Sequence, residues 1–435
     1  MFLDRNTTDK RLTGQYVVGF DLGDTYSQIS YWKLGSQGPT TVSTVSGQEV
    51  YNIPTVLCKR KEVNQWFYGK DALRNGEANE GTIVKNLVQL AEKGEPVIVE
   101  NEEFDPVRLL ALFIRRALSL INMEVATEKV AAYMVTTADM SYRMIEVLGE
   151  VVSALQLDTK KFFFQSHMES FYYYMIYQPE ELWGQDVILY DFTGPYLISY
   201  RMERNRRTTP IVAYIDAQEY PGFKKGAFAS DEALKEELKE AMDHQFYQII
   251  KQGTEEYSIS AAYLIGDGFD GEWEKTSLKL LCHNRRAFQG NNLYSKGACY
   301  GVFEKIAGSE LGKRYVFLGN EKLKSNVGMK VYRQGQESYL ALLDAGVNWF
   351  EAAKECEVYL GVGNKISFLI TPLTGRDVRE VEMELEGLPI REPHTTRIYL
   401  SIQMVTEKKV RVRVEDLGFG QLFPSSGLTW TKEFE

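Results

Sequence analysis

Val17-Val18-Gly19-Phe20-Asp21-Leu22-Gly23-Asp24-Thr25-Tyr26-Ser27 decides how the rest of the chain is read. Residues 16–20 form a short apolar run rich in Val and aromatics, which predicts a buried strand. The run ends in Asp21-Leu22-Gly23, and a second strand-like run, residues 29–34, follows at once. The pattern is a hairpin with a carboxylate, a glycine and a hydroxyl at its tip. Gly23 lets backbone N–H groups approach a bound group closely. Such a turn can cradle phosphate oxygens while its Asp holds a hydrated Mg²⁺. The same residues also make an ordinary tight turn with polar side chains.

Two other stretches repeat the pattern. A second hairpin reads Asp186-Val187-Ile188-Leu189-Tyr190-Asp191-Phe192-Thr193-Gly194, followed by a strand over residues 196–200. A third buried strand, residues 261–265, closes in Gly266-Asp267-Gly268. Three apolar strands ending in Asp/Gly turns, in this order, resemble the actin, DnaK-chaperone and sugar-kinase superfamily. The resemblance implies an α/β, two-lobed nucleotide-binding fold in which each half offers a hairpin to the phosphates and the third turn meets the adenosine. It implies ATP or ADP with Mg²⁺ as cofactors, the metal held through water by Asp21 and Asp191. Nucleotide contacts fall on Gly23, Asp24, Thr25 and Tyr26, on Thr193 and Gly194, and on Gly266, Asp267 and Gly268.

Composition bounds the reading. The 435 residues suffice for two or three domains, and 44% apolar with 25% charged content suits a soluble globular chain. A net charge of −10 argues against a general nucleic-acid surface. Cys58, Cys282, Cys299 and Cys356 show no CxxC pairing and no His at ligand spacing, so they read as reduced thiols in a cytoplasmic protein. Residues 1–14 lack an apolar core, so no signal peptide is expected, and no run reaches the length of a membrane span.

In chain order, residues 40–46, 53–59 and 66–68 continue a β-rich start. Gly81-Thr82-Ile83-Val84-Lys85 resembles the chaperone stretch whose lysine reaches the γ-phosphate, so Lys85 takes that role by resemblance; an exposed helix lysine is the plain alternative. Asp105-Pro106 opens an amphipathic helix, Asp as N-cap and Pro in the first turn. Strand 130–135, a helix through Leu148 and Val152, and strand 162–164 argue for parallel α/β layering. Glu169, in Gln165-Ser166-His167-Met168-Glu169, matches the chaperone glutamate that orients the attacking water; a Glu there also simply complements a helix start.

The site departs from the chaperone pattern in two places. The second hairpin has lost two glycines, and Pro195 removes a backbone donor. In the first hairpin Asp24 replaces a threonine, and a carboxylate facing phosphate is repelled by ~4 kcal/mol per charge pair at 4 Å in an effective dielectric of 20. Asp24 therefore marks either a shifted metal site or a weakened nucleotide site. Between Tyr200 and Ala261 the segment is short: a strand over 211–216, a loop at Pro221-Gly222, and one helix capped by Ser230. Gly297 and Gly301 allow a later helix to pack closely on a sheet.

From about residue 313 short strands recur at near-regular spacing, beginning with Tyr315-Val316-Phe317-Leu318, which is the pattern of an antiparallel sandwich. Gly387-Leu388-Pro389 and Val410-Arg411-Val412-Arg413-Val414 resemble, in order, the DnaK substrate-binding sandwich, without a helical lid. The expected division is a nucleotide domain over 14–312 with its second half from about 186, a linker over 313–329 and a sandwich over 330–432. Two functions follow from the resemblance. One is a weak Mg-ATPase whose nucleotide state controls peptide or protein binding by the sandwich. The other is a non-hydrolysing scaffold that keeps the fold. A small-molecule kinase needs a substrate-side Asp base in a second pocket, and no such motif is present.

Overall fold

The computed structural model describes residues 15–225, 232–290, 292–373 and 377–435; the expectation of no signal peptide in residues 1–14 and the expected Ser230 cap lie outside them. With 29% helix and 39% strand over several sheets, the chain is a mixed α/β protein. It divides into two compact units between Phe317 and Leu318. Among the described residues no helix is long and apolar enough to cross a membrane.

The first unit contains two six-stranded sheets with one shared pairing pattern. In the first sheet the order is Phe162–Ser166, Val130–Thr137, Tyr16–Asp21, Tyr26–Lys33 and Thr40–Thr41, with Ile53–Pro54 also pairing the Tyr26 strand. In the second it is Arg286–Gln289, Ile259–Ile265, Asp186–Asp191, Tyr196–Asn205, Ile211–Lys224 and Tyr315–Phe317. In both, a central hairpin strand runs antiparallel to its partner on one side and parallel to a later strand on the other. Val17, Val18 and Phe20, and likewise Val187 to Tyr190, are almost fully buried, as expected for strands covered on both faces.

Two helices are exchanged between the sheets. The His167–Ile176 helix follows the last strand of the first sheet, yet its Phe171, Tyr172, Met175 and Ile176 pack with Val187, Leu189 and Tyr200 of the second. The Leu293–Ile306 helix follows the Arg286–Gln289 strand of the second sheet, yet Ala298, Cys299 and Val302 pack with Val17, Trp32 and Met134 of the first. Gly19 makes this approach feasible: a Cβ there would lie 2.1 Å from the Ser295 carbonyl oxygen. At Gly297 a Cβ would lie 2.0 Å from the Ser170 carbonyl oxygen, so this glycine serves helix-on-helix rather than helix-on-sheet packing.

Two local expectations change. Pro221 and Gly222 sit inside the Ile211–Lys224 strand instead of a loop. The pairing jumps there from Leu197–Tyr220 to Tyr196–Lys224, and an irregular strand end of this kind tolerates proline. Tyr315–Phe317 pairs in parallel with Ile211 to Ala213, so it completes the second sheet rather than starting the sandwich series.

The second unit holds two four-stranded antiparallel sheets. One runs Gln336–Leu343, Ser325–Arg333, Lys365–Pro372, Arg379–Glu384; the other runs Ala353–Tyr359, Arg397–Met404, Val410–Gly418, Thr429–Phe434. The alternation in Val410, Val412 and Val414 buries one face, as the period of two requires. Phe368 and Phe434 meet across the sheets with ring centroids 5.8 Å apart. Asp416 is fully buried and accepts from Arg391 Nη1 and Nη2, each at 2.8 Å, and from the N–H groups of Gly418 and Ser426. Burial alone would raise this carboxyl, but the Arg391 and backbone donors outweigh it and hold it well below the usual carboxylate range.

Candidate functional site

Strand ends position the site. In register, Asp21 faces Thr136 on the parallel side and Gln28 on the antiparallel side, and Asp191 faces Ile265 and Ile198 in the same way. The three turns meet around a small cleft of about 50 Å³ lined by Asp21, Gly23, Tyr26, Gln28, Asn52, His167, Thr193, Ile265, Gly266, Asp267 and Tyr294. Six of the sequence-derived residues thus come together: Asp21, Gly23, Tyr26, Thr193, Gly266 and Asp267. The lining, among the described residues, includes neither Lys85 nor Glu169. Lys85 is exposed, just before the Leu87–Lys93 helix. Glu169 is buried in the first turn of its helix, where its N–H donates to Ser166 Oγ at 3.2 Å.

Side chains from two helix starts fill the space between the aspartates. His167, the first residue of its helix, places Nε2 2.8 Å from Asp21 Oδ1. Its ring lies flat on that of Tyr294, centroids 3.9 Å apart and planes at 10°. The Tyr294 hydroxyl donates to Asp191 Oδ2 at 2.7 Å, and the Thr193 N–H donates to Asp191 Oδ1 at 2.9 Å. Both Asp191 oxygens are therefore in use, and the residue is 8% exposed. Burial, then the Asp191 carboxylate, pushes the Tyr294 phenol well above its ordinary value, so it stays an O–H donor.

The second and third turns are pressed together. At Gly266 the backbone has φ +102, and a Cβ there would lie 2.4 Å from Thr193 N; a Cβ on Gly268 would meet the Phe192 ring at 2.3 Å. The Gly268 N–H donates to the Phe192 carbonyl at 3.2 Å. Lys225 Nζ donates to the Thr193 carbonyl at 2.7 Å and also pairs with Asp267 Oδ1. Gly194 is exposed, and its turn is braced by these contacts.

Asp24 has its own explanation. Its Oδ1 accepts the Gln89 N–H at 3.3 Å, in the first turn of the Leu87–Lys93 helix. The preceding Asn86 is left-handed and makes no side-chain cap, so Asp24 supplies one from another element. Thr25 offers its carbonyl to the Thr55 N–H at 3.0 Å, and its side chain is exposed. Tyr26 faces the other lip: burial first, then Asp267 and Asp270, raises its phenol.

His167, Tyr294, Lys225 and Gln28 were not among the residues read from the sequence. Gln28 is 5% exposed; its Nε2 donates to Asn52 Oδ1 at 2.6 Å, while its buried Oε1 finds no partner among the described residues. The signal for His167 was a histidine directly after a strand end and an N-capping Ser166. Among the described residues no group of three or more His, Cys, Asp or Glu is arranged to hold a metal ion.

No curated protein matches the chain. Residues 322–435 match a domain described as "Domain of unknown function (DUF8552)". Residues 38–320, well over half of the chain, match the "Family of unknown function (DUF5716) C-terminal", and the chain belongs to that family.

Proposed function

We propose that the chain is an actin/DnaK-type fold kept as a non-hydrolysing, protein-binding scaffold. The first unit supplies the two-lobed body, and the sandwich of the second unit, with the acidic surface, engages a peptide or protein partner. The observation that carries this reading is the occupied cleft. Pockets for drug-sized ligands run to about 300–1,000 Å³, against about 50 Å³ here. The residues present do not fit a nucleotide with Mg²⁺. Asp21 holds His167, Asp191 holds Thr193 and Tyr294, and the Gly268 N–H holds Phe192. Phosphoryl transfer depends on positioned donors and a metal at the phosphates, and these groups already serve the protein itself. The four free thiols suit a cytoplasmic location.

Titration calorimetry with millimolar Mg-ATP and Mg-ADP tests the reading: no heat and no shift in thermal midpoint are expected. A saturable heat would replace it with the second reading, a weak ATP-binding protein. That alternative has one observation in its favour, the meeting of all three glycine turns at a single cleft. A peptide array probed with the full chain tests the sandwich: signal for extended peptides is expected, and a blank array would remove peptide binding from the proposal.

A further inference from the structure

We propose that the stacked His167–Tyr294 pair is a latch that fastens the ends of the two central strands to each other across the cleft. The inference rests on the two-lobed reading above. Four side chains make one continuous path: Asp21 at the end of the first central strand, His167 at the start of one exchanged helix, Tyr294 in the first turn of the other, and Asp191 at the end of the second central strand. Each junction is in good geometry, with polar contacts of 2.8 and 2.7 Å and parallel rings 3.9 Å apart. Tyr294 is 4% exposed and cannot serve Asp191 and solvent together.

Its neighbours do a different job. Lys225 joins Thr193 to Asp267, two turns of the same sheet, so it braces one lip without crossing to the other. Deeper in, Gly297 against Ser170 holds the two exchanged helices at their crossing. The crossing fixes the helices in their middle and the stacked pair fixes them at their starts. Loosening the second while leaving the first gives a cleft that opens at its mouth without unfolding.

Native-state amide exchange on the full chain reads this directly, with no nucleotide present, so its result is independent of the calorimetry. The probes are the cleft amides of Leu22, Thr193 and Gly268, each hydrogen-bonded at a turn, and the strand-centre amides of Val18, Leu189 and Leu264. Tyr294→Phe keeps the stacking and removes the O–H. It is expected to speed the cleft amides by on the order of tenfold or more, with much smaller changes in the strand centres. His167→Phe keeps a ring on Tyr294 and frees Asp21, and serves equally should Tyr294→Phe fold poorly. Because the two polar links lie in series along one path, either change alone opens the latch, and the double variant is expected to be non-additive by roughly two- to tenfold. Equal acceleration of all six amides means ordinary core packing and overturns the latch. Unchanged cleft amides in both variants overturn it as well.

Discussion

The two hairpins of the first unit share a pairing pattern and differ in almost everything their tips touch. Two residues before each aspartate, Gly19 stands in one strand and Leu189 in the other. Gly19 lets a helix backbone lie directly on its strand, whereas Leu189 is fully buried against Phe171 and Tyr172 of the other exchanged helix. At the tips, Asp24 turns away to cap a neighbouring helix, while Phe192 slides under the third turn. The two central strands share a pairing and, up to the aspartate, a burial pattern. The chemistry of a tip is free to change once its polar groups find partners within the protein.

The largest effect is expected at a carboxylate that calibrates the hairpins. Asp416, like Asp191, lies near a strand end with both oxygens in use, but its main partner is a cation. Asp416→Asn is expected to cost about 3–5 kcal/mol by leaving Arg391 buried without its counter-charge. Because the folded carboxyl is held below its unfolded value, its stabilisation is present at neutral pH. It is lost as pH falls below about 4 toward the folded value. Acid titration of the second unit's unfolding, in wild type and variant, checks both statements; a variant with the same acid slope would sink the second.

Next comes Leu189→Ala, expected to cost about 2–5 kcal/mol by opening a cavity. The matching change in the first hairpin runs the other way in size. Gly19→Ala adds a methyl against a helix backbone and is expected to cost about 1–3 kcal/mol by overpacking. Denaturant unfolding of the two variants tests the comparison: a neutral Gly19→Ala would show that the helix can retreat from the strand. The smallest effect is expected at Asp24. Asp24→Ala is expected to cost about 0.5–1 kcal/mol, the value of a helix cap. Asp24→Thr brings the turn closer to the chaperone pattern, yet calorimetry is expected to show no gain of ATP binding, since His167 and Tyr294 still occupy the cleft.

The strands of the core were legible because short Val-rich and aromatic runs leave few other options. The Asp105 cap was equally legible: its carboxylate accepts the Val107 N–H at 2.9 Å. Convergence of the glycine turns was an expectation of the resemblance, and residues of all three turns line one cleft. What filled that cleft was not legible. His167 and Tyr294 are 127 residues apart and meet only because two helix starts face one another, a relation no local pattern encodes. Asp24 was read against phosphate because its helix partner comes from residues 87–93, a separate element. Tyr315–Phe317 was misassigned because a three-residue strand carries no mark of the sheet it joins.

The exchange of helices has a consequence for how the first unit can be divided. Cleave the chain between Tyr177 and Asp186, and the leading piece carries away the cover of one face of the trailing piece's sheet, while the trailing piece keeps the cover of one face of the leading one. Each fragment keeps the core on the other face of its own sheet but bares the face that the exchanged helix covers, so each is expected to aggregate by itself and to recover solubility when the two are mixed.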